Sequence, residues 1–430
     1  MTEIDFRDIK RVHLIGLGGI GVSALARMFL SFGALVSGSD NNKNSIIDDL
    51  QKKGITFYQE HQADNITSDI EIVIYTIAID DNNPEFKKAK ELGIRLFSYP
   101  EALGVLSKQM KTVAVAGTHG KTTTTAMIAQ IAQEAGLNPT VIVGSLLAEK
   151  KTNFIAGGNN LLIVEACEYR RSFLNLWPDI IAITNIDNDH LDYYHNLDDI
   201  KDAFREFVSH LPSAGGKLIC PANHPNLKDI IKDCDLEILD YQTEDLSDVE
   251  LAVPGQYNKE NAKTALALAR ALGLNRLEAL NSLKNFQGTW RRFEYKGQSV
   301  NGALVYDDYA HHPTEIKSLL LATKEKYSQN KIVAIFQPHL YSRTKILLKE
   351  LADALSIADQ VIVLPIYAAR EKDDFTISSH HLVEKVANSL FFENWSSVLE
   401  YIGKKTSKDD IIITIGAGDI NELSKALVDN

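Results

Sequence analysis

The sequence predicts an α/β protein with parallel sheets between helices, and three observations indicate this fold. An apolar strand runs into a glycine-rich turn at residues 12–23, a second strand meets a different glycine turn at 113–125, and strands alternate with helical stretches after residue 293. Such strand–turn–helix units open Rossmann-like and phosphate-loop domains. We therefore expect a Rossmann-like block at 1–108, a P-loop block at 109–292 and a second Rossmann-like block at 293–430.

Composition limits the class of protein. The chain has 430 residues, of which 45% are hydrophobic and 24% charged, which is enough for two or three cores. Its formal charge of −12 argues against nucleic-acid binding, which needs a basic face. The sequence shows no membrane span or signal peptide, and Cys167, Cys220 and Cys234 lack metal-ligand spacing. We expect a cytoplasmic protein without a membrane or nucleic-acid partner.

The first block carries a possible nucleotide site. Predicted strands at 34–37 and 72–79 accompany the first strand, and Asp40 follows the second strand where a ribose would be bound. The glycines of the first turn are Gly16, Gly18, Gly19 and Gly21. This pattern is weak alone, because the same glycines also permit tight strand-to-helix packing. A nucleotide diphosphate ligand is favoured, and a dinucleotide-dependent dehydrogenase is one candidate.

The second block carries a stronger signal for a phosphate loop. After the strand, Lys121 would reach the β/γ oxygens of a nucleotide, and the hydroxyl of Thr122 would bind Mg²⁺. Val115 stands where the usual motif has its first glycine. The expected nucleotide-binding residues of the loop are Gly117, Thr118, His119, Gly120, Lys121, Thr122 and Thr123. This pattern predicts phosphoryl transfer with a bound nucleotide.

Two further side chains could face the metal ion. Glu165 follows a predicted strand at 161–164, and His190 follows one at 179–184. If these strands are neighbours, both side chains lie at the edge where doubly wound sheets bind ligands. A solvated turn residue remains the alternative for Glu165, and a loop histidine bonded to backbone remains the alternative for His190. Downstream, an alanine-rich helix is predicted at 259–272.

In the third block, polar side chains follow several predicted strands. The strands are expected at 303–306, 331–336, 360–365 and 411–415, with a helix at 313–327. The polar side chains would form one rim, and they include Tyr309, His311, His312, His339, Arg343 and Asp419. The two adjacent histidines should diverge and take separate hydrogen-bonding roles.

Six motifs together resemble the Mur ligase family over essentially the whole chain. They are G-T-H-G-K-T-T at 117–123, E-A-C-E-Y-R-R at 165–171, T-N-I-D-N-D-H at 184–190, F-Q-G-T-W-R-R-F at 286–293, D-D-Y-A-H-H-P-T-E at 307–315 and F-Q-P-H-L-Y-S-R-T at 336–344. The resemblance implies a three-domain cytoplasmic enzyme, a monomer or homodimer. Its domains would bind a UDP-sugar, ATP and an amino acid in turn, and it would join L-alanine to the lactyl carboxylate of UDP-N-acetylmuramate.

The resemblance also implies roles for individual residues. It places Thr122, Glu165 and His190 near Mg²⁺, Asn258 and Asn261 near the adenine, and Arg291 or Arg292 near ATP. It places Tyr309, His311, His339 and Arg343 around the substrates, and the first glycine turn with Asp40 at the UDP-sugar. Tyr257, Leu340 and Arg370 depart from the family pattern.

One position separates members of the family. Members that add D-glutamate or a diamino acid carry a carbamate-forming lysine fourteen residues after the histidine of the D-H motif, where this chain has Phe204. The resemblance therefore implies the alanine-adding type or the murein tripeptide-recycling type, and the motifs at 165–171 and 336–344 favour the first. A dehydrogenase would leave Lys121 unexplained, and a non-catalytic scaffold would need a broken catalytic set.

Overall fold

A computed structural model describes residues 4–147, 152–190, 193–232, 235–369, 371–372 and 376–429. The chain divides into two units: unit 1 comprises Met1–Glu250 with Glu260–Asn285, and unit 2 comprises Leu251–Lys259 with Phe286–Asn430. Cys234 and Arg370 lie outside the described residues. Among the residues described, no helix is both long and apolar enough to cross a bilayer.

The first sheet of unit 1 contains five parallel strands in the order β3-β2-β1-β4-β5. The strands are β1 Arg11–Ile15, β2 Leu35–Asp40, β3 Thr56–Gln59, β4 Ile72–Tyr75 and β5 Arg95–Ser98. The helices are α1 Ile20–Ser31, α2 Ser45–Lys52, α3 Pro84–Glu91 and α4 Tyr99–Gln109. This confirms the Rossmann-like first block. The strand predicted at 72–79 ends earlier, because Thr76 turns to pack on Gly16, where an added Cβ would lie 2.5 Å from its methyl.

The second sheet of unit 1 contains seven strands in the order β12-β11-β10-β6-β9-β7-β8. They are β6 Lys111–Ala116, β7 Thr140–Leu147, β8 Thr152–Ile155, β9 Leu161–Glu165, β10 Ile180–Ile183, β11 Lys217–Cys220 and β12 Glu237–Asp240, and only the β7–β8 pair is antiparallel. The helices are α5 Lys121–Glu134, α6 Leu197–Val208, α7 Pro225–Ile231, α8 Gln256–Ala271 and α9 Arg276–Lys284.

This strand order corrects one prediction. The strands that precede Glu165 and His190 were expected to be neighbours, but β6 lies between them and pairs with both. The two side chains therefore follow strands that flank β6 rather than strands that pair with each other. The alanine-rich helix also begins earlier than predicted, so Tyr257 and Asn258 lie within its first turn.

The sheet of unit 2 contains six strands in the order β13-β14-β18-β15-β16-β17, with only β13 antiparallel. The strands are β13 Glu294–Gln298, β14 Leu304–Asp308, β15 Lys331–Phe336, β16 Gln360–Val363, β17 Ser389–Phe391 and β18 Asp410–Ile415. The helices are α10 Pro313–Lys326, α11 Tyr341–Ile346, α12 Leu348–Leu355, α13 Ser379–Val383, α14 Trp395–Lys405 and α15 Ile420–Asp429. Apolar side chains on the two faces of the sheet form two separate cores, as expected for parallel strands covered by helices.

Candidate active site

The phosphate loop joins β6 to α5 through two glycines that no other residue could replace without strain. Gly117 has φ +128° and Gly120 has φ +84°, values that L side chains rarely adopt. An added Cβ would lie 2.1 Å from Thr184 Oγ1 at the first position and 2.2 Å from Asn261 Oδ1 at the second. The sequence thus folds the loop tightly against its neighbours.

The N–H groups of the loop fall into two sets. The N–H of Thr118 donates to the carbonyl of Asn185 at 3.0 Å, and the N–H of His119 donates to the Asn185 side chain at 2.9 Å. Helical bonding in α5 begins with Thr124 N–H to Gly120 C=O at 2.9 Å. The N–H groups of residues 121–123 lie in the first turn, which lacks intrahelical acceptors, and they are therefore suited to bind a phosphate.

Lys121 is held at this loop by three acceptors. Its ammonium group donates to the carbonyls of Gly117 at 2.6 Å and Thr118 at 3.1 Å, and it lies 2.8 Å from a carboxylate oxygen of Glu168. Burial opposes the charge, but the neighbouring Glu168 carboxylate raises the pKa of Lys121. Glu168 was not among the predicted site residues. The available signal was its position three residues after Glu165 in the same motif.

The predicted metal ligands lie around the loop. Thr122 Oγ1 donates to Glu165 Oε1 at 3.1 Å, and the other Glu165 oxygen accepts the N–H of Gly144 at 2.7 Å. His190 Nε2 lies 3.7 Å from Glu168 Oε1, and its backbone has φ +53°. Hydroxyl and carboxylate oxygens suit Mg²⁺, whereas imidazole suits softer metals. The structure brings Thr122 and Glu165 together and sets His190 beside Glu168.

The segment after Glu168 has an unusual backbone. Arg170 and Arg171 both adopt left-handed conformations, with φ +50° and +54°, which cost L residues roughly 1–2 kcal/mol each. Arg170 donates to the carbonyl of Ile77 at 3.3 Å, whereas Arg171 pairs with Asp199 at 2.8 Å. The two neighbouring guanidinium groups thus contact different parts of unit 1. Strained residues of this kind cluster at functional sites.

Phe204 takes no part in the site. It is fully buried on α6 and contacts Phe173 edge to face at 5.1 Å. An aromatic ring in an apolar core provides no metal ligand, which agrees with the distinction drawn from this position in the sequence.

Most N–H groups of the first glycine turn already donate hydrogen bonds to acceptors within the protein. Gly16 and Leu17 donate to the carbonyl of Ser39, and Gly18 donates to Asp40 Oδ2 at 2.9 Å. Gly19 donates to Gly16, and helical bonding in α1 begins at Ser23. The Asp40 carboxylate therefore holds the turn, and the N–H groups of residues 20–22 lie in the first turn of the helix, where an anion would bind. Gly21 makes room for Tyr99, whose ring would lie 2.7 Å from an added Cβ.

The two arginines predicted near ATP differ in environment. Arg291 is 3% exposed, its Nε donates to Asp307 at 2.8 Å, and its other nitrogens donate to the carbonyls of Gly416 and Gly418. Arg292 is more accessible and lies 3.5 Å from Glu315. Arg291 thus holds the strand ends of unit 2 together, and Arg292 is the better candidate for a phosphate contact.

The predicted rim of unit 2 forms one cluster. Tyr309 lies under the guanidinium of Arg292 at 5.6 Å, and its carbonyl lies 3.1 Å from His311 Nδ1. The rings of His311 and His339 are 6.0 Å apart, and Arg343 Nη1 lies 3.2 Å from His339 Nδ1. His312 instead caps α10 by accepting the N–H of Thr314, so the adjacent histidines do take separate roles.

The remaining predicted positions have local roles. The Asn258 side chain donates to the carbonyl of Pro254 at 2.8 Å, and the Asn261 side chain packs on Gly120 and accepts from Thr124 Oγ1 at 3.3 Å. Burial raises the pKa of Tyr257, so its hydroxyl stays protonated. Leu340 is buried with φ +69° at the start of α11. An apolar side chain at this position offers no hydrogen-bond donor to a carboxylate.

Three family models match consecutive segments of the chain. The catalytic domain of the Mur ligase family matches residues 11–111, the Mur ligase middle domain matches 115–250, and the glutamate ligase domain of Mur ligases matches 291–418. The first and third segments contain the first and third sheets, and the second segment contains the second sheet except for the start of β6.

Relatives and solved structures agree with these matches. The UDP-N-acetylmuramate–L-alanine ligase of Caldanaerobacter subterraneus subsp. tengcongensis is 40% identical, over 99% of both chains, and that of Caldicellulosiruptor bescii is 41% identical, over 98% of this chain and all of the relative. The solved UDP-N-acetylmuramate–alanine ligase of Thermotoga maritima superposes with a TM-score of 0.79 at 28% identity, over 97% of this chain and 98% of that one. A murein peptide ligase from Psychrobacter arcticus shares the fold, with a TM-score of 0.72 at 23% identity over 98% of both chains.

Proposed function

Since the chain belongs to the Mur ligase family, we propose that it joins L-alanine to the lactyl carboxylate of UDP-N-acetylmuramate in peptidoglycan synthesis, with hydrolysis of ATP to ADP and phosphate. The observation that carries this proposal is the arrangement at the phosphate loop. The ammonium group of Lys121 lies between the loop carbonyls and the Glu168 carboxylate, and Glu165 accepts a hydrogen bond from the Thr122 hydroxyl. These groups suit the activation of a carboxylate by a triphosphate.

The reaction needs two displacements. A lactyl carboxylate oxygen attacks the γ-phosphorus of ATP, which breaks the bond to ADP and gives an acyl phosphate. The neutral amine of alanine then attacks the acyl carbon, phosphate leaves, and the amide nitrogen loses a proton. Because the carboxylate and the triphosphate repel each other, the protein must supply positive charge and fixed positions. Lys121 and the first-turn N–H groups of α5 supply both for the phosphates.

A divalent cation fits the donor set beside the loop. Thr122 and Glu165 would hold Mg²⁺ with their oxygens, and His190 would bind it through water or hold Glu168 in place. Bound Mg²⁺ would supply further positive charge to the phosphate oxygens. Asn258, Asn261 and Arg292 are the proposed contacts to the nucleotide. The N–H groups at the start of α1 are the proposed contacts to the UDP-sugar.

In unit 2, the proposed alanine contacts are Tyr309, His311, His339 and Arg343. A small amino acid offers few atoms for recognition, so a cation should bind its carboxylate. Arg343 suits this role because a guanidinium can form two parallel hydrogen bonds to a carboxylate. We also expect a cytoplasmic enzyme that is a monomer or a homodimer, which light scattering would test.

Product formation tests the function directly. Purified enzyme with UDP-N-acetylmuramate and ATP should release phosphate only when L-alanine and Mg²⁺ are also present, and mass spectrometry should detect the alanyl product. L-Ala-γ-D-Glu-diaminopimelate, offered instead of alanine, should react much more slowly. The reverse preference would identify a recycling ligase, and NADH-dependent turnover without phosphate release would favour a dehydrogenase.

A further inference from the structure

We propose that Arg170 binds an anionic group of the UDP-sugar and thereby positions this substrate for phosphoryl transfer. The inference rests on the proposed function and adds a residue that neither the motifs nor the family roles above had assigned. Arg170 ends one short segment of unit 1, residues 165–170.

This segment contacts both ligand edges of unit 1. Its first residue, Glu165, accepts a hydrogen bond from Thr122, and Glu168 pairs with Lys121 of the phosphate loop. Two residues later, Arg170 donates to the carbonyl of Ile77, in the loop that follows β4. One end of the segment therefore lies at the phosphate loop and the other end at the first sheet.

The contact with Ile77 lies close to the first glycine turn. The residue before Ile77, Thr76, packs its methyl against Gly16, where an added Cβ would lie only 2.5 Å away. A second link is independent of Arg170: the Tyr99 ring packs on Gly21, and the charge of Glu165 adds to burial in raising the pKa of Tyr99. Tyr99 thus lies at the helix start that would bind a diphosphate and within the electrostatic influence of the carboxylate proposed to hold Mg²⁺. A UDP-sugar would have its diphosphate at the turn and its lactyl carboxylate at the γ-phosphate of ATP. Such a ligand must extend from the start of α1 to the phosphate loop.

The charge and exposure of Arg170 suit that position. Its side chain is exposed, and the bond to Ile77 uses one of the five N–H donors of the guanidinium. The acids Glu165 and Glu168 precede Arg170 in the same segment, and the chain carries a formal charge of −12, so a UDP-sugar anion needs a local cation. The left-handed backbone at residues 170 and 171 sends Arg170 towards Ile77 and Arg171 towards α6.

Arg171 provides a matched control. It has the same side chain and nearly the same backbone conformation, but it pairs with Asp199 at 2.8 Å and with Glu206 at 3.1 Å on α6. Its role is to hold the segment to the helix. Arg171→Gln should therefore lower the thermal unfolding midpoint, whereas Arg170→Gln should leave the midpoint unchanged.

Calorimetric titration of the full-length enzyme with UDP-N-acetylmuramate, without ATP, tests the proposal. Arg170→Gln should weaken binding roughly tenfold to a hundredfold, and Arg170→Lys should restore part of the loss, because the lost contact is a charge-assisted hydrogen bond. Arg171→Gln should bind the UDP-sugar within about threefold of wild type, and the KM for ATP should stay within about threefold in both glutamine variants.

A second ligand identifies the anionic group. UDP-N-acetylglucosamine has the diphosphate but no lactyl carboxylate. If Arg170→Gln loses a similar amount of affinity for both ligands, Arg170 contacts the diphosphate. If it loses affinity for UDP-N-acetylmuramate alone, Arg170 contacts the carboxylate. Wild-type affinity of Arg170→Gln for UDP-N-acetylmuramate would overturn the proposal while leaving the ligase function intact. If the wild-type enzyme itself failed to bind the UDP-sugar, the proposed function would fall together with this inference.

Discussion

Lys121 and Glu168 form a buried ion pair. The pair affects stability, whereas the lysine is also proposed to act in turnover. The Glu168 side chain is only 3% exposed and lies 2.8 Å from the ammonium group. Removing the lysine alone leaves an uncompensated buried carboxylate, which typically destabilises a protein by ~3–5 kcal/mol. The same lysine supplies the fixed charge proposed for the β/γ phosphates. Stability and activity can therefore be separated by changing both residues.

We predict that Lys121→Ala lowers turnover ~10³-fold or more, which corresponds to ~4 kcal/mol of transition-state stabilisation. The variant should also be less stable to urea than wild type. Adding Glu168→Gln removes the unpaired charge, so the double variant should regain stability without regaining turnover. Steady-state rates within about tenfold of wild type in Lys121→Ala would contradict the role of this lysine.

Glu85 is the centre of a second buried network, in the first sheet of unit 1. It is fully buried and accepts hydrogen bonds from Ser39 at 2.5 Å, Asn65 at 2.6 Å and His61 at 3.1 Å, with His13 Nε2 at 3.4 Å. Burial raises its pKa, but the hydrogen bonds from His13 and His61 outweigh this effect and lower the pKa of Glu85 to about 2. In return, Glu85 raises the pKa of His61.

These shifts predict how stability depends on pH. The lowered pKa of Glu85 contributes stability above its ordinary value near 4.5, and this contribution is lost as pH falls towards about 2. The raised pKa of His61 contributes below about 6.5 and is lost as pH rises above that value. The loss of unfolding free energy in Glu85→Gln should therefore be largest between about pH 4.5 and 6.5, with a pH-dependent part of about 3 kcal/mol.

Urea unfolding at a series of pH values measures this difference. Glu71→Gln is a suitable control, because Glu71 is an exposed acid of the same domain that accepts one backbone N–H. It should show no comparable maximum. A pH-independent loss in Glu85→Gln would mean that the network stabilises the sheet by packing alone.

At the scale of elements, α5 has a left-handed glycine at each end, but the two positions differ in their surroundings. Gly120 precedes the helix with φ +84° and faces Asn261, whereas Gly136 follows it with φ +77° and has no atom within 4 Å of an added Cβ. Alanine at Gly136 should cost only the backbone strain, roughly 1 kcal/mol. Alanine at Gly120 would also displace the buried Asn261 side chain and distort the phosphate loop.

We therefore expect Gly136→Ala to keep wild-type turnover with slightly reduced stability. Gly120→Ala should be less stable still and should raise the KM for ATP at least tenfold, since the first-turn N–H groups of α5 move with the loop. Urea unfolding and steady-state kinetics on the same preparations provide both readouts. Equal effects of the two substitutions would show that strain, and not the shape of the loop, decides the outcome.

The elements that carry the glycine turns and the strands that lead to the site could be predicted from the sequence, whereas the contacts between them could not. The strand before Lys121 and the helix that begins at this residue follow from a β-branched run, two glycines and the helix-forming residues beyond them. The position of β6 between β9 and β10 depends on strand pairing across the sheet, which local patterns do not encode. The pairing of Lys121 with Glu168, the burial of Arg291 and the bond from Gly18 to Asp40 likewise depend on tertiary packing.

At the scale of the whole molecule, the three family domains correspond to two units. The first two sheets belong to unit 1, and the third sheet with residues 251–259 belongs to unit 2. A division of this kind predicts that unfolding is not a single two-state transition. The proposed UDP-sugar contacts, which are the N–H groups at the start of α1 and Arg170, all lie in unit 1, so this ligand should stabilise one transition selectively.

Differential scanning calorimetry should therefore resolve two transitions in the ligand-free enzyme. UDP-N-acetylmuramate at about 100 times its dissociation constant should stabilise the transition of unit 1 by about 2.7 kcal/mol, because a ligand that binds only the folded state adds RT ln(1 + [L]/Kd). Arg170→Gln at the same ligand concentration should show a smaller shift, since its affinity is lower. UDP-N-acetylglucosamine serves as the matched ligand without the carboxylate. A single transition with equal calorimetric and van't Hoff enthalpies would show instead that the two units unfold together.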